Sequence, residues 1–165
     1  MAISTNVAVI GVAVLLSAAL IKVFFFPPRS QSIPPVADAM AAGTSLKSRI
    51  PGMDWKQNGR TLVLVISTQC HFCKESTPFS CKVKEELKTL KTIAVLPQPA
   101  DEAEHYLKAE GVRVDQVKQA SLGDIGVRGT PTLLLVNSAG VVTNVWVGKL
   151  QPDQEQQVLA ALRKG

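Results

Sequence analysis

Hydrophobic and polar positions change rhythm three times along the chain. From Val7 to Phe26 the residues are apolar almost without break, interrupted only by Gly11, Ser17 and Lys22. At about 1.5 Å per residue such a helix is roughly 30 Å long, the hydrocarbon thickness of a bilayer. The pattern predicts one transmembrane helix over residues 7–26, preceded by a short tail at 1–6. Lys22 sits near the end of the run, where its aliphatic stem carries the charge to the interface. A cleaved signal peptide fits less well, because residues 2–6 hold no Lys or Arg and no small-x-small site stands directly before Pro27-Pro28.

The second rhythm is broken. Residues 27–54 form a Pro-rich linker and lead-in, with prolines at 27, 28, 34 and 35 stiffening its first part. Residues 36–50 read as weakly helical, and Pro51-Gly52 marks a turn.

The third rhythm, from residue 61, is that of a folded domain. Thr61–Ser67 (TLVLVIS) is a β-branched run of the kind that makes a strand buried on both faces. Lys74–Lys91 reads as a helix with Phe79, Val83, Leu87 and Leu90 on one stripe. Thr92–Leu96 is a second strand, and Asp101–Glu110 a helix capped by Asp101 with Glu104 and ended by Gly111. Thr132–Val136 and Val141–Val147 are strands joined tightly through Asn137-Ser138-Ala139-Gly140 into a hairpin. Pro152 opens a last helix whose inner stripe is Val158, Leu159 and Leu162. The order β-α-β-α-β-β-α predicts an α/β fold, a small mixed sheet flanked by helices.

Charge removes one class of function and leaves another question open. The 18 basic and 13 acidic residues, net +5, are spread along the chain rather than massed, which argues against nucleic-acid binding. Lys22 lies near the end of the apolar run and Arg29, Lys47 and Arg49 follow it, so the positive-inside rule points the domain toward the cytoplasm. That bias is small, and whole domains translocate largely regardless of it. The three cysteines are an odd number, so no fully paired disulfide framework forms within the chain.

Two of those cysteines carry the candidate chemistry. Cys70-His71-Phe72-Cys73 lies where the first strand meets the following helix. Residues three apart in a first helical turn lie about 5–6 Å apart, within disulfide reach. Unsatisfied N–H groups and the helix dipole at that end favour a thiolate at Cys70, which makes it the nucleophile and Cys73 the resolving residue. Protonated His71 would add to that stabilisation. A zinc site is disfavoured, because beyond the pair only Cys81, His71 and His105 remain and no second ligand pair has metal spacing. Soft thiolates with a histidine also suit Cu(I), so a copper-binding module is the alternative from another class. Cys81 would lie about 12 Å along a straight helix from Cys73, past the roughly 7 Å limit for pairing, and reads as a bystander thiol. Trp55 and Trp146 read as packing residues and His105 as a surface residue.

STQCHFCKES resembles the strand–CxxC–helix unit of the thioredoxin superfamily, with Lys74 after the second cysteine and Pro78 at the place of the family's helix-kinking proline. VRGTPTLLLV is similar to the segment holding the family's cis-proline, here Pro131 preceded by Thr130. GTPTLLLVNSAGVVTNVWVGKL is similar to the C-terminal half of membrane-anchored TlpA/ResA-like thiol–disulfide proteins. The resemblance implies a thioredoxin-like domain over residues 55–165, acting by exchange with protein thiols and disulfides and served by a redox partner protein. It implies an extracytoplasmic, periplasm-type placement of the domain. It also implies substrate contacts at Thr130 and Pro131, with His71 and Phe72 beside them, and no metal or cofactor beyond the redox-active Cys70–Cys73 disulfide.

The chain departs from the family's pattern in ways that bear on proton transfer and direction. Gln69 replaces the usual Trp, Phe72 the proline of many reducing members, and Leu64 the buried acid of typical thioredoxins. Ser76 stands where TlpA/ResA-like proteins often carry Glu, which leaves the adjacent Glu75 as candidate proton acceptor for Cys73. Oxidases of the DsbA type carry histidine before the second cysteine, whereas here it follows the first. Copper-delivery relatives generally space their cysteines by three residues rather than two. A peroxiredoxin-like peroxidase is a further alternative, with Ser67 placed as a hydroxyl is in those sites but Val63 at the position of their proline.

Overall fold

The computed structural model describes residues 40–164. The expected tail at 1–6, the anchor at 7–26 and the linker up to residue 39 lie outside the described residues. Among the described residues no helix is long and apolar enough to cross a membrane.

The order of elements is α1 (Trp55–Asn58), β1 (Thr61–Val65), α2 (His71–Glu75), α3 (Thr77–Glu86), β2 (Lys91–Leu96), α4 (Ala100–Ala109), β3 (Gln116–Gln119), α5 (Leu122–Ile125), β4 (Thr132–Val136), β5 (Val142–Val147) and α6 (Pro152–Arg163). The strands form one mixed sheet in the order β3-β2-β1-β4-β5. β1 runs parallel to β2 and antiparallel to β4, so the C-terminal end of β1 and the N-terminal end of β4 share one end of the sheet. The rung Val65 opposite Thr132 fixes that alignment.

Successive strand residues point to opposite faces, and the apolar runs of β1, β2 and β4 supply both. Leu62, Leu64, Ala94, Leu96, Leu133 and Leu135 go to one face, where Phe79 and Val83 of α3, Leu107 of α4 and Leu159 and Leu162 of α6 cover them. Val63, Val65, Ile93, Val95, Leu134 and Val136 go to the other. That second face is closed by Ile125 of α5, Trp55 of α1, and Leu46 and Ile50 of the lead-in. Trp55 packs so tightly that a Cβ on Gly140 would stand 2.9 Å from its Cδ1, and Gly140 has φ +72°. Only glycine meets both demands without strain.

Several expectations are corrected. The long helix predicted for Lys74–Lys91 begins at His71, breaks at Ser76 and ends at Glu86. Pro78 has no N–H to bond the carbonyl a turn earlier, so the helix restarts there. Asp101 does not cap α4: the cap position is Pro99 and no side chain closes it, while Gly111, with φ 70°, does turn the chain out of that helix. Residues 40–50, read as weakly helical, form turns and one bridge, Ser45 to Val141. The polar strand β3 was not foreseen; it pairs with β2 at the sheet edge, where Val117 is its one apolar residue and packs against the core.

Candidate active site

β1 ends at Val65, and the loop after it delivers Cys70 to the head of α2. Gln98 Nε2 donates to Ser67 Oγ at 3.1 Å, and Thr68 Oγ1 donates to Glu102 Oε1 at 2.9 Å, tying this loop to the segment after β2. Cys70 is the N-cap of α2, and its sulfur accepts from the Cys73 N–H at 3.0 Å. An anionic sulfur in that position would meet unsatisfied amide donors and the positive end of the helix. Cys70 and Cys73 are joined as a disulfide with their Cα atoms 5.2 Å apart. Cys70 is half-buried, whereas Cys73 is only 5% exposed. An incoming sulfur therefore meets Cys70 first.

Sixty residues away in sequence, the start of β4 closes on the same sulfur. The Thr130 carbonyl oxygen lies 3.3 Å from Cys70 Sγ. The Thr130–Pro131 peptide bond is cis. Gly148 donates its N–H to the Pro131 carbonyl at 2.7 Å, so the corner is held from the β5 side. Phe72, between the cysteines, is 56% exposed, and Val147 at the end of edge strand β5 is 67% exposed. These are the two large apolar side chains left open to solvent among the described residues.

The charged groups beside the pair form a chain. Glu75 accepts from Lys149 at 3.0 Å and lies 3.3 Å from His71 Nε2 one turn back. The hydrogen bond from Lys149 chiefly, and then the charges of Lys149 and His71, hold the Glu75 carboxyl below its ordinary value of 4.5. A carboxylate so stabilised is a weak base. His71 is turned outward, toward Glu75 rather than over the disulfide, and its side chain is 78% exposed.

Behind the pair lies a narrow, largely apolar cleft with room for a water-sized occupant. Cys73 and Pro131 line it, together with Leu64, Tyr106 of α4 and Glu155 of α6. The structure thus brings together Cys70, Cys73, Thr130 and Pro131, with Phe72 and His71 at the rim. Tyr106 and Glu155 were not singled out from the sequence. The acidic first turn after Pro152 was visible there, but nothing local tells that one of its residues lines the same cleft as Cys73. Cys81 is a free thiol whose sulfur lies 3.4 Å from the Gly111 carbonyl, remote from the pair as the helical spacing predicts.

The family model described as a thioredoxin-like domain matches residues 55–163. No curated protein matches the chain. Among solved structures, a candidate thiol:disulfide interchange protein DsbE from Chlorobium tepidum is similar at 23% identity and TM-score 0.56, covering 75% of this chain and 99% of that one. The thioredoxin domain of a thiol-disulfide oxidoreductase from Bacteroides vulgatus is similar at 16% identity and TM-score 0.57, over 75% and 99%. A thiol-disulfide isomerase from Corynebacterium glutamicum is similar at 14% identity and TM-score 0.59, over 74% and 97%. At these identities the likeness is one of fold, and the family model covers most of the chain: the protein belongs to the thioredoxin-like domain family.

Proposed function

We propose that the protein is a thiol–disulfide oxidoreductase that exchanges with protein substrates through a mixed disulfide at Cys70, resolved by Cys73. One observation carries this reading: a half-buried sulfur at a helix head is linked to a buried one three residues on and faced by the Thr130 carbonyl at 3.3 Å. The exposed sulfur accepts attack or, as thiolate, delivers it, and the buried one is kept for the second step. Pro131, which has no N–H, and the backbone of Thr130 form the surface an extended substrate segment lies along, with Phe72 offering an apolar contact beside it. The disulfide itself is the redox group.

The same reading takes residues 7–26 as a membrane anchor and residues 27–54 as the linker and lead-in to the domain, and it places the domain outside the cytoplasm. Support for the anchor is the length and apolarity of that run. Support for the placement is that a disulfide-exchanging domain finds oxidised protein partners mainly in extracytoplasmic compartments. Thiol labelling of intact cells with a membrane-impermeant reagent decides it.

Exchange is tested on the purified protein with insulin as disulfide substrate and a dithiol as reductant. Wild type is expected to speed insulin reduction, and Cys70→Ser to fall to the rate of dithiol alone. Equal rates for the two proteins would remove the assignment.

A further inference from the structure

The resolving step needs a base that the residues flanking the cysteines do not supply. Cys73 is 5% exposed, and burial among apolar side chains makes a thiol reluctant to ionise. Leu64 and Ser76 offer no proton acceptor. Glu75 is bound to Lys149 and His71 at the protein surface. The cleft behind Cys73 presents the hydroxyls of Ser76, Thr77 and Ser80, the phenol of Tyr106 and, as the one carboxylate among its described lining residues, Glu155.

The fold holds Glu155 there deliberately enough to matter. α6 opens with a capping box in which Gln154 Oε1 accepts from the Gln151 N–H at 2.8 Å. The Glu155 N–H then donates to the Gln151 carbonyl at 2.9 Å. These bonds close the first turn, and Val158, Leu159 and Leu162 bury the rest of the helix against the sheet. Glu155 is half-buried, and unlike Glu75, Glu86, Glu110 and Asp115 it enters no ion pair among the described residues. The titratable groups sharing the cleft are Cys73 and Tyr106. Burial, and after it the charge of Glu110, pushes the Tyr106 phenol up, so it stays protonated at neutral pH. Glu110 itself is paired with Lys74 at 3.6 Å.

We propose that Glu155, from the last helix, is the proton acceptor of Cys73. The proposal rests on the exchange reading above. In the step concerned, a substrate sulfur is bonded to Cys70 and Cys73 is a thiol. Glu155 takes the thiol proton, directly or through a water in the cleft, and the Cys73 sulfur attacks Cys70. The Cys70–substrate bond breaks, the Cys70–Cys73 bond forms, and the substrate leaves as a thiolate that takes up a proton, released in turn by Glu155 through the cleft. The substrate disulfide gains two electrons and the protein dithiol loses them. The reverse sequence runs the same proton back.

Two measurements on the full chain test this. The first reacts reduced protein with an aromatic disulfide that releases a coloured thiolate at each step, so attack by Cys70 and resolution by Cys73 appear as successive phases. Glu155→Gln is expected to leave the first phase unchanged and slow the second at least about tenfold at neutral pH, with its pH profile altered. Glu155→Asp should recover most of the rate, and Asp153→Asn, one turn edge away, should not change it. The second measurement titrates Cys73 by its thiolate absorbance in Cys70→Ser. Removing a neighbouring negative charge in Cys70→Ser/Glu155→Gln should lower that midpoint by about one pH unit. A more acidic thiol that nonetheless resolves more slowly is the signature of a lost base. A second phase that matches wild type together with a thiol midpoint that matches Cys70→Ser would overturn the proposal. The titration uses no substrate, so inactivity toward insulin would sink the functional reading and leave the coupling of Glu155 to Cys73 to be judged by itself.

Discussion

The two faces of the sheet are built from the same strands and have opposite characters. Toward the lead-in, Val63, Val65, Ile93 and Val95 meet Leu46, Ile50 and Trp55, all 3% exposed or less. Among the described residues that side carries no candidate chemistry, and there the Trp55 Nε1–H is buried without a hydrogen-bond partner. Toward the longer helices, Leu62 and Leu64 meet α3, α4 and α6, and there the packing stops short and leaves a cleft behind Cys73. A closed face can hold the strands in register, and this frees the other face to be imperfect. The difference teaches that reactivity here sits where one core is left unfinished, backed by another that is complete.

The sharpest way to break the comparison is to open the closed face. Trp55→Ala removes a side chain that is 3% exposed and is expected to cost about 3–5 kcal/mol of stability, read from urea unfolding. The exchange rate per folded molecule should stay at the wild-type value. A variant equally stable but slow in exchange would show that the two faces are not separable in this way.

A smaller effect is expected from the clasp on the reactive face. Asp115 Oδ2 accepts from Lys84 of α3 at 2.6 Å and from the Thr92 N–H of β2 at 2.8 Å. Burial by itself would raise the Asp115 carboxyl, but these two bonds, with the charges of Lys84 and Lys91, hold it below 3.8. Because the folded value is depressed, the stabilisation is present above the ordinary carboxylate range and lost as pH falls through the folded value. Asp115→Asn should therefore cost about 1–2 kcal/mol at neutral pH, with the gap to wild type closing as pH falls through the depressed folded value. Urea unfolding from neutral pH downward into acid checks it.

The smallest effect belongs to the surface chain at the rim. Lys149→Ala is expected to let the Glu75 carboxyl rise toward 4.5, as followed by its carboxyl resonance in an NMR titration. The folded fraction should hardly change, since an ion pair this exposed adds little. An unmoved Glu75 midpoint would mean that His71 alone holds that carboxylate.

Sequence made the interior of this fold legible wherever apolar residues ran together. β1, β2, β4, β5 and the inner stripe of α6 announce themselves because burial on one or both faces dictates their side chains. β3 (QVKQ) does not, since an edge strand is held by backbone bonds that leave no trace in residue type. The lead-in misled for a related reason: its apolar residues, Leu46 and Ile50, serve turns that plug a sheet rather than a periodic helical stripe. At the site, Cys70, Cys73, Thr130 and Pro131 were readable because local motifs carry them. Glu155 and Tyr106 reach the cleft from α6 and α4 only after tertiary packing, and Glu75 looked closer to the sulfur in sequence than its pairing with Lys149 leaves it in space.

The rung that sets Val65 opposite Thr132 has a consequence for how this protein tolerates change in length. The gap between the reactive sulfur and its proline corner is set by two short counts, Val65 to Cys70 and Pro131 to Thr132, with the ties from Gln98 and Gly148 holding each segment in place. Extra residues grafted into the surface turns after α3 or α4 would leave that gap untouched. A single residue inserted between Val65 and Cys70 would misalign nucleophile and docking edge at once, so natural insertions in related chains should crowd the former positions and spare the latter.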